Sequence, residues 1–256
     1  MRVMTFNIRF ENHQDGARSW FFRRERVKDL ILHYAPDIIG TQEGMWHQLL
    51  YLRDHLPGYH LHAPERVLDA TCQYPSLFFD GNSLMNRDGG EFWLSENPHI
   101  HRSKSWDSAF PRMMGYGEFE WKDGGDTFWV AVTHLDHAGE EARLQQARII
   151  AQWFGQVKGP AILMGDFNDR PGSPSHQLLT APETGLRDTW ELLDREEGDG
   201  SYTHHGFTGV PQKSRMDWIL VSSHLRVKRA EIIRDHINGS YPSDHFPYMV
   251  DLEMIP

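Results

Sequence analysis

Ala161-Ile162-Leu163-Met164-Gly165-Asp166-Phe167-Asn168 decides most about this chain. Its four leading aliphatic residues form a short apolar run, the pattern of a strand buried on both faces. Asp166 leaves that run at its end, and Asn168 follows two positions later. Active-site groups of sheet proteins collect at strand ends, so the pair offers one pocket a general base and an orienting amide. A capping turn accounts for the same residues, because Asp and Asn both favour turns.

Outward from this run, other short strand-like segments recur at 3–7, 37–42, 77–80, 92–94, 119–121, 128–134, 216–221 and 248–252. Helical spacing appears between some of them. Val27, Leu30, Ile31 and Tyr34 fall on one helix face, as do Met45, Leu49, Leu52 and Leu56 before the Pro57-Gly58 stop. Leu144, Ala147, Ala151 and Phe154 mark a third helix that ends within 155–160. Gly124-Gly125 is a turn signal between neighbouring strands. The pattern predicts an α/β (α+β) architecture of mixed sheets with outer helices. Segments 95–112 and 196–215 read as long surface loops, and long loops in compact domains are often functional.

The chain has 256 residues, 39% of them hydrophobic and 12% aromatic, enough for a large core without a disordered tract. The expected organisation is a single domain over 1–256. No apolar stretch reaches bilayer-spanning length, and Arg2-Val3-Met4-Thr5-Phe6-Asn7 begins directly in strand-like sequence rather than a signal-peptide layout. The one cysteine, Cys72, excludes an internal disulfide and suits a reducing compartment. A cytoplasmic protein without stable membrane association or an obligate protein partner is expected. The formal net charge of −10 argues against a grip on long duplex nucleic acid, which needs a basic surface. It suits clustered carboxylates around a divalent cation.

Strand alternation shows which polar residues share a face with the buried ones. Asn7 lies on the face of Val3 and Thr5, His134 on that of Val130 and Val132, and Asp217 on that of Ile219 and Val221. Glu43 follows the apolar pair Ile38-Ile39 in Gly40-Thr41-Gln42-Glu43. Each is a polar group at the margin of a buried strand, and burial of such a group costs free energy unless it is paired or metal-bound. Ser243-Asp244-His245 adds an adjacent carboxylate and imidazole before the final strand. With 16 histidines in the chain, most are ordinary surface residues. His60, His62, His99, His101, His204 and His205 have no ligand-like spacing and stay unassigned.

These pieces, in this order, resemble the endonuclease/exonuclease/phosphatase superfamily, which includes AP endonucleases, DNase I, deadenylases, inositol-polyphosphate 5-phosphatases and neutral sphingomyelinases. The matching segments are Thr5-Phe6-Asn7-Ile8-Arg9, Thr41-Gln42-Glu43, Val132-Thr133-His134-Leu135, Gly165-Asp166-Phe167-Asn168, Arg215-Met216-Asp217-Trp218-Ile219 and Ser243-Asp244-His245. They span nearly the whole chain. The resemblance implies a four-layered, DNase I-like α/β sandwich, two central mixed β-sheets flanked by helices, with the site at one edge.

By position, the resemblance implies that Glu43 is the main ligand of a catalytic Mg²⁺ or Mn²⁺, with Asn7 beside it and Asp244 completing the metal environment. Asp166 resembles the residue that orients or deprotonates the attacking water, with Asn168 helping to place it. His245 resembles the imidazole on the scissile phosphate, held by Asp217, and His134 the histidine that binds phosphate or assists the leaving group. Arg9 departs from the pattern, standing where AP endonucleases carry an acidic metal-site residue. The block Phe92-Trp93-Leu94-Ser95-Glu96, Ser105-Trp106-Asp107 and Pro111-Arg112 resembles bacterial members of the superfamily. Arg9 and Arg112 are candidate phosphate ligands, and a surface arginine accounts equally for Arg112. Trp20 with Arg23-Arg24 offers a lining for the cleft, a solvated helix face being the preferred reading of the Arg pair, and Tyr202 to Phe207 reads as a candidate substrate loop.

The expected function is a divalent-metal-dependent phosphoesterase, foremost a phosphodiesterase using direct water attack on short or single-stranded nucleic acid or a small phosphodiester. The alternative is a phosphomonoesterase acting on sugar, inositol or lipid-headgroup phosphates. A catalytically silent binding module of the same fold is the competing class; it should show gaps among the ligand, base and imidazole positions, and this chain shows none.

Overall fold

The computed structural model describes residues 1–64 and 66–255. The first half supplies β1 (Arg2–Asn7), α1 (Trp20–Tyr34), β2 (Ile38–Met45), α2 (Trp46–His55), β3 (Tyr59–His62), β4 (Gln73–Asp80), β5 (Leu84–Trp93) and β6 (Met113–Trp121). The second supplies β7 (Phe128–His134), α3 (Glu140–Phe154), β8 (Ala161–Asp166), α4 (Pro174–Leu179), β9 (Leu186–Asp188), β10 (Asp217–Ser222), β11 (Leu225–Ile232) and β12 (Tyr248–Met254). One sheet runs β11-β12-β1-β2-β4-β3 and the other β5-β6-β7-β8-β10-β9. Each is mixed, with one parallel pair at its centre: β1 with β2, and β7 with β8.

Three apolar layers hold these sheets and helices as four layers. Val3, Ile38, Val132, Met164 and Val250 meet between the sheets. Val27, Leu30 and Leu52 of α1 and α2 cover the outer face of the first sheet, and Ala147, Ile150 and Phe154 of α3 cover that of the second. Each such side chain contributes roughly 1.5–3 kcal/mol on burial. Gly40 marks how closely the sheets approach: a Cβ there would lie 2.6 Å from Met164 Sδ and 2.9 Å from Val132 Cγ2.

Local signals set the helix ends. α1 follows an extended Ser19 and stops where Ala35 turns left-handed ahead of Pro36. α3 carries Glu140 and Glu141 in its first turn, where negative charge suits the helix dipole, and ends at Gly155. The three predicted helices are present, and α4 is an addition.

The strand expectations hold at the centre of both sheets and fail at their margins. β3, β9 and β11 were not anticipated, and 92–94 proves to be the end of the ten-residue β5. All four are outermost strands. An edge strand keeps charges on its open side, as in Arg226, Lys228 and Arg229 of β11, so its apolar pattern is weak. The two long loops are where the spacing put them, without helix or strand apart from isolated bridges at His204. No helix among the described residues is long and apolar enough to cross a membrane.

One expectation is overturned on α1. Arg24 stays partly exposed, whereas Arg23 is buried, donating to the carbonyls of Ile8, Arg9, Arg18 and Pro242. The helix turns this guanidinium inward because the turn after β1 and the 242–245 loop leave their carbonyls without strand partners there.

Candidate active site

Register builds the site. Across the second sheet, His134 pairs with Asp166 in parallel β7–β8, and Asp217 pairs with Asp166 in antiparallel β8–β10. Three polar side chains therefore stand in one row at one edge. In the first sheet, Asn7 ends β1 beside Gln42 of β2, at the same edge. Its amide crosses between the sheets, donating to Asp166 Oδ2 at 2.9 Å and to Glu43 Oε1 at 3.2 Å. Gly165 is required in this row: a Cβ there would collide with the backbone carbonyl of Thr133 on the neighbouring strand.

Asp166 serves both readings of its motif. Its Oδ1 accepts from Asn168 N at 2.9 Å, which makes the turn, and leaves Oδ2 for the site. The turn puts Asn168 in the left-handed region at φ 50°, and its amide donates to Leu135 O and to His134 Nε2. Glu43 at φ 62° and Arg9 at φ 55° are also left-handed, so three residues of the site hold conformations that L residues rarely adopt. β2 bulges between Thr41 and Gly44, and the bulge turns Glu43 into the cleft.

His245 Nδ1 lies 2.8 Å from Asp217 Oδ2, and His245 Nε2 lies 3.8 Å from Asp166 Oδ2. Burial opposes the charged imidazole, but the carboxylates of Asp217 and Asp166 outweigh it and push His245 up to about 10. Burial and the Asp217 charge raise Asp166 to about 7. His134, 3.5 Å from Asp166, is held neutral by burial and by the Arg112 charge. Asp244 is buried, yet His245 and Arg9 hold its carboxyl below the ordinary range.

The arginines resolve differently. Arg112 is buried in the cleft rather than on the surface, its Nε 3.7 Å from Asp136 Oδ2. Arg9 donates Nε–H to Asp15 Oδ2 at 3.3 Å, and its guanidinium also lies 3.9 Å from Glu43 Oε2 and 3.8 Å from Asp244 Oδ2. The cleft that these groups share has a volume of about 300 Å³.

The family model described as Endonuclease/Exonuclease/phosphatase family matches residues 4–245. The chain belongs to that family. It is 32% identical to a solved endonuclease/exonuclease/phosphatase from Bacteroides vulgatus, with a TM-score of 0.90 over 99% of this chain and 98% of that one. It is 30% identical to a mannosyl-6-phosphatase from Bacteroides thetaiotaomicron, with a TM-score of 0.88 over 99% and 100% of the two chains. It is 21% identical to the CCR4-Not complex 3'-5'-exoribonuclease subunit Ccr4 of Saccharomyces cerevisiae over 93% of this chain. The chain spans 36% and 64% of the lengths of two curated relatives it matches. The DNase I-like four-layered arrangement expected from the sequence is thereby established.

All ten candidate residues line one cleft or support its wall. Among the described residues, two carboxylate–imidazole groupings at this edge are close enough to share a cation: Asp166, Asp217 and His245, and His204, Asp244 and His245. Glu43 stands outside both, because the Asn7 amide and the Arg9 guanidinium separate it from the other carboxylates.

His204, left unassigned within the 202–207 stretch read as a candidate substrate loop, enters the cleft, and so do residues that the sequence patterns do not single out, Lys213 and His137 among them. His204 stacks edge-on against His245 at 5.0 Å, and burial with the His245 charge lowers it to about 4. Asp136, two residues beyond His134, accepts five hydrogen bonds: from Ser108 Oγ and from the backbone N–H of Ala109, Phe110, Ala138 and Gly139. It binds loop 95–112 to the start of α3. The sequence signal was present in Asp136, four residues ahead of a helix, but the partner loop lies more than twenty residues upstream.

Proposed function

We propose that this chain is a divalent-metal-dependent hydrolase that opens a P–O bond by direct attack of water. The observation that carries the reading is the position of Asp166 Oδ2, which meets the Asn7 amide at 2.9 Å and has the imidazoles of His134 and His245 within 3.5 and 3.8 Å. A base candidate and two imidazoles thus share one cleft with two arginines.

The donor set fits Mg²⁺ or Mn²⁺. Glu43 and Asp244 offer carboxylate oxygens, the ligands that hard cations prefer, and an ion held by both would require the Arg9 guanidinium that lies between them to move aside. With Asn7 beside them, these residues would hold the ion, which supplies charge neutralisation on the non-bridging oxygens. In this reading Asp166 takes the proton of the attacking water, and Asn168 fixes the Asp166 carboxylate through its backbone N–H. Charged His245 donates Nε2–H to a phosphate oxygen while Asp217 fixes its Nδ1–H. His134, neutral, faces the phosphate or the departing oxygen. Arg9 and Arg112 bring further positive charge to the anion.

A cleft of about 300 Å³ in a chain of net charge −10 favours a small or single-stranded phosphodiester over a long duplex. The likeness to a mannosyl-6-phosphatase favours a second reading, a phosphomonoesterase for a phosphorylated sugar.

The test compares bis-p-nitrophenyl phosphate with p-nitrophenyl phosphate, in Mg²⁺ or Mn²⁺ and in chelator. Metal-dependent diester cleavage is expected. Monoester cleavage alone would move the assignment to the second reading. Asp166→Asn should lower kcat by about a hundred-fold or more, the scale of a lost general base, and full activity in that variant would sink the mechanism.

A further inference from the structure

We propose that Arg23, on α1 and outside the cleft, is a positioning residue that sets the Asn7–Arg9 side of the site against the Asp244–His245 side. Its side chain is buried, and its guanidinium donates four hydrogen bonds, all to backbone carbonyls. Nη1 reaches both Ile8 O and Pro242 O, the latter at 3.1 Å, and Nη2 reaches Arg9 O. One planar cation therefore ties the turn after β1 to the loop that carries Ser243, Asp244 and His245.

The turn needs such a brace. Arg9 is left-handed at φ 55°, and its guanidinium lies among the carboxylates of Asp15, Glu43 and Asp244. Arg9 O also accepts from Gln48 Nε2 of α2 at 3.0 Å, so two helices pin the same carbonyl. On the other side, Ser243 Oγ donates to Asn7 O at 2.6 Å, which gives the junction a second link. A carbonyl set that attracts one guanidinium so closely cannot be served by lysine, whose ammonium is a point donor without the fork. All three guanidinium nitrogens donate to backbone carbonyls and the side chain does not line the cleft, so its effect passes through Arg9, Asn7 and Asp244.

This inference rests on the phosphoesterase reading for its kinetic arm but not for its binding arm. The kinetic arm measures Arg23→Ala and Arg23→Lys on the better of the two nitrophenyl esters. Arg23→Ala is expected to lose about a hundred-fold in kcat, the scale of a small misplacement of reacting groups, with KM within about two-fold. Guanidinium at millimolar levels should restore at least a tenth of the lost rate to Arg23→Ala, and urea should not. Arg23→Lys, which keeps the buried charge, should fold and show the same split between kcat and KM. The binding arm titrates Mn²⁺ by calorimetry, where either variant should bind about ten- to a hundred-fold more weakly, the usual effect of losing support behind metal ligands. Wild-type kinetics and Mn²⁺ affinity in Arg23→Lys would overturn the proposal. So would an Arg23→Ala that folds but gains nothing from guanidinium. A wild type silent on both esters would count against the phosphoesterase reading alone, because the Mn²⁺ titration still decides the role of Arg23.

Discussion

His245 owes its charge to a neighbour four strand-lengths of sequence away: Asp217 Oδ2 stands 2.8 Å from its Nδ1. An ordinary imidazole titrates near 6.5, and here the group is pushed up to about 10. A folded-state value above the unfolded one stabilises the fold fully below pH ~6.5, and that contribution is lost as pH rises through about 10. Asp217→Asn removes the main charge that holds the proton. The variant should release it at lower pH, so its thermal stability should decline earlier on the alkaline side than that of the wild type. Melting curves from pH 6 to 10, with the imidazole followed by NMR, check this; identical profiles would mean that Asp217 does not hold the proton. At this scale the sequence was informative. Asp166 and Asn168 were legible because turn chemistry and strand ends limit what such residues do, whereas His245 stood out from the other histidines only through the family resemblance. Arg23 was not, since helical spacing gives a residue's angle on the helix and not what lies opposite that angle.

The segment from 95 to 112 has no regular structure, and a single buried carboxylate organises it. Asp136 gathers backbone N–H groups from 109–110 and 138–139, with Arg112 alongside. Burial opposes the charge, and the hydrogen bonds outweigh it, so the Asp136 carboxyl lies well below the ordinary carboxylate range. A depressed value contributes stability above the ordinary pKa and loses it as pH falls through the folded value. Wild-type protein should therefore lose this contribution below pH ~4. Asp136→Ala should cost about 3–5 kcal/mol, the usual penalty for removing one partner of a buried charged network. Loop 95–112 should then be cut by protease ahead of the rest of the chain. Calorimetry and limited proteolysis read both outcomes, and an unchanged melting temperature would refute the role. Central strands such as β8 were readable from their apolar runs. The edge strands β3, β9 and β11 were not, because one side of each faces solvent and carries the composition of a loop.

Two mixed sheets packed face to face bring residues from both halves of the chain to a common edge, and the closeness of the sheets is what lets the Asn7 amide reach Asp166. Gly40 is a sensitive point of that packing, since a side chain there would press on Met164 and Val132 of the other sheet. Gly40→Val should cost about 1–3 kcal/mol through overpacking and lower the melting temperature by several degrees. It should also lower activity, because the two sides of the cleft are carried by different sheets; a variant with wild-type stability and turnover would show that the sheets yield freely there. Apolar periodicity and turn residues by themselves determined the central strands, three of the helices, both long loops and the identity of the polar groups at strand ends. These are properties of neighbours in the chain, where spacing fixes which face a residue joins. Tertiary structure alone decided that Arg9 lies between Glu43 and Asp244, that Arg112 is buried, that His204 faces His245 and that Arg23 braces two distant segments. Those contacts depend on the separation of the two sheets and on the register between strands, and both are fixed only when the cores on either side of each sheet pack.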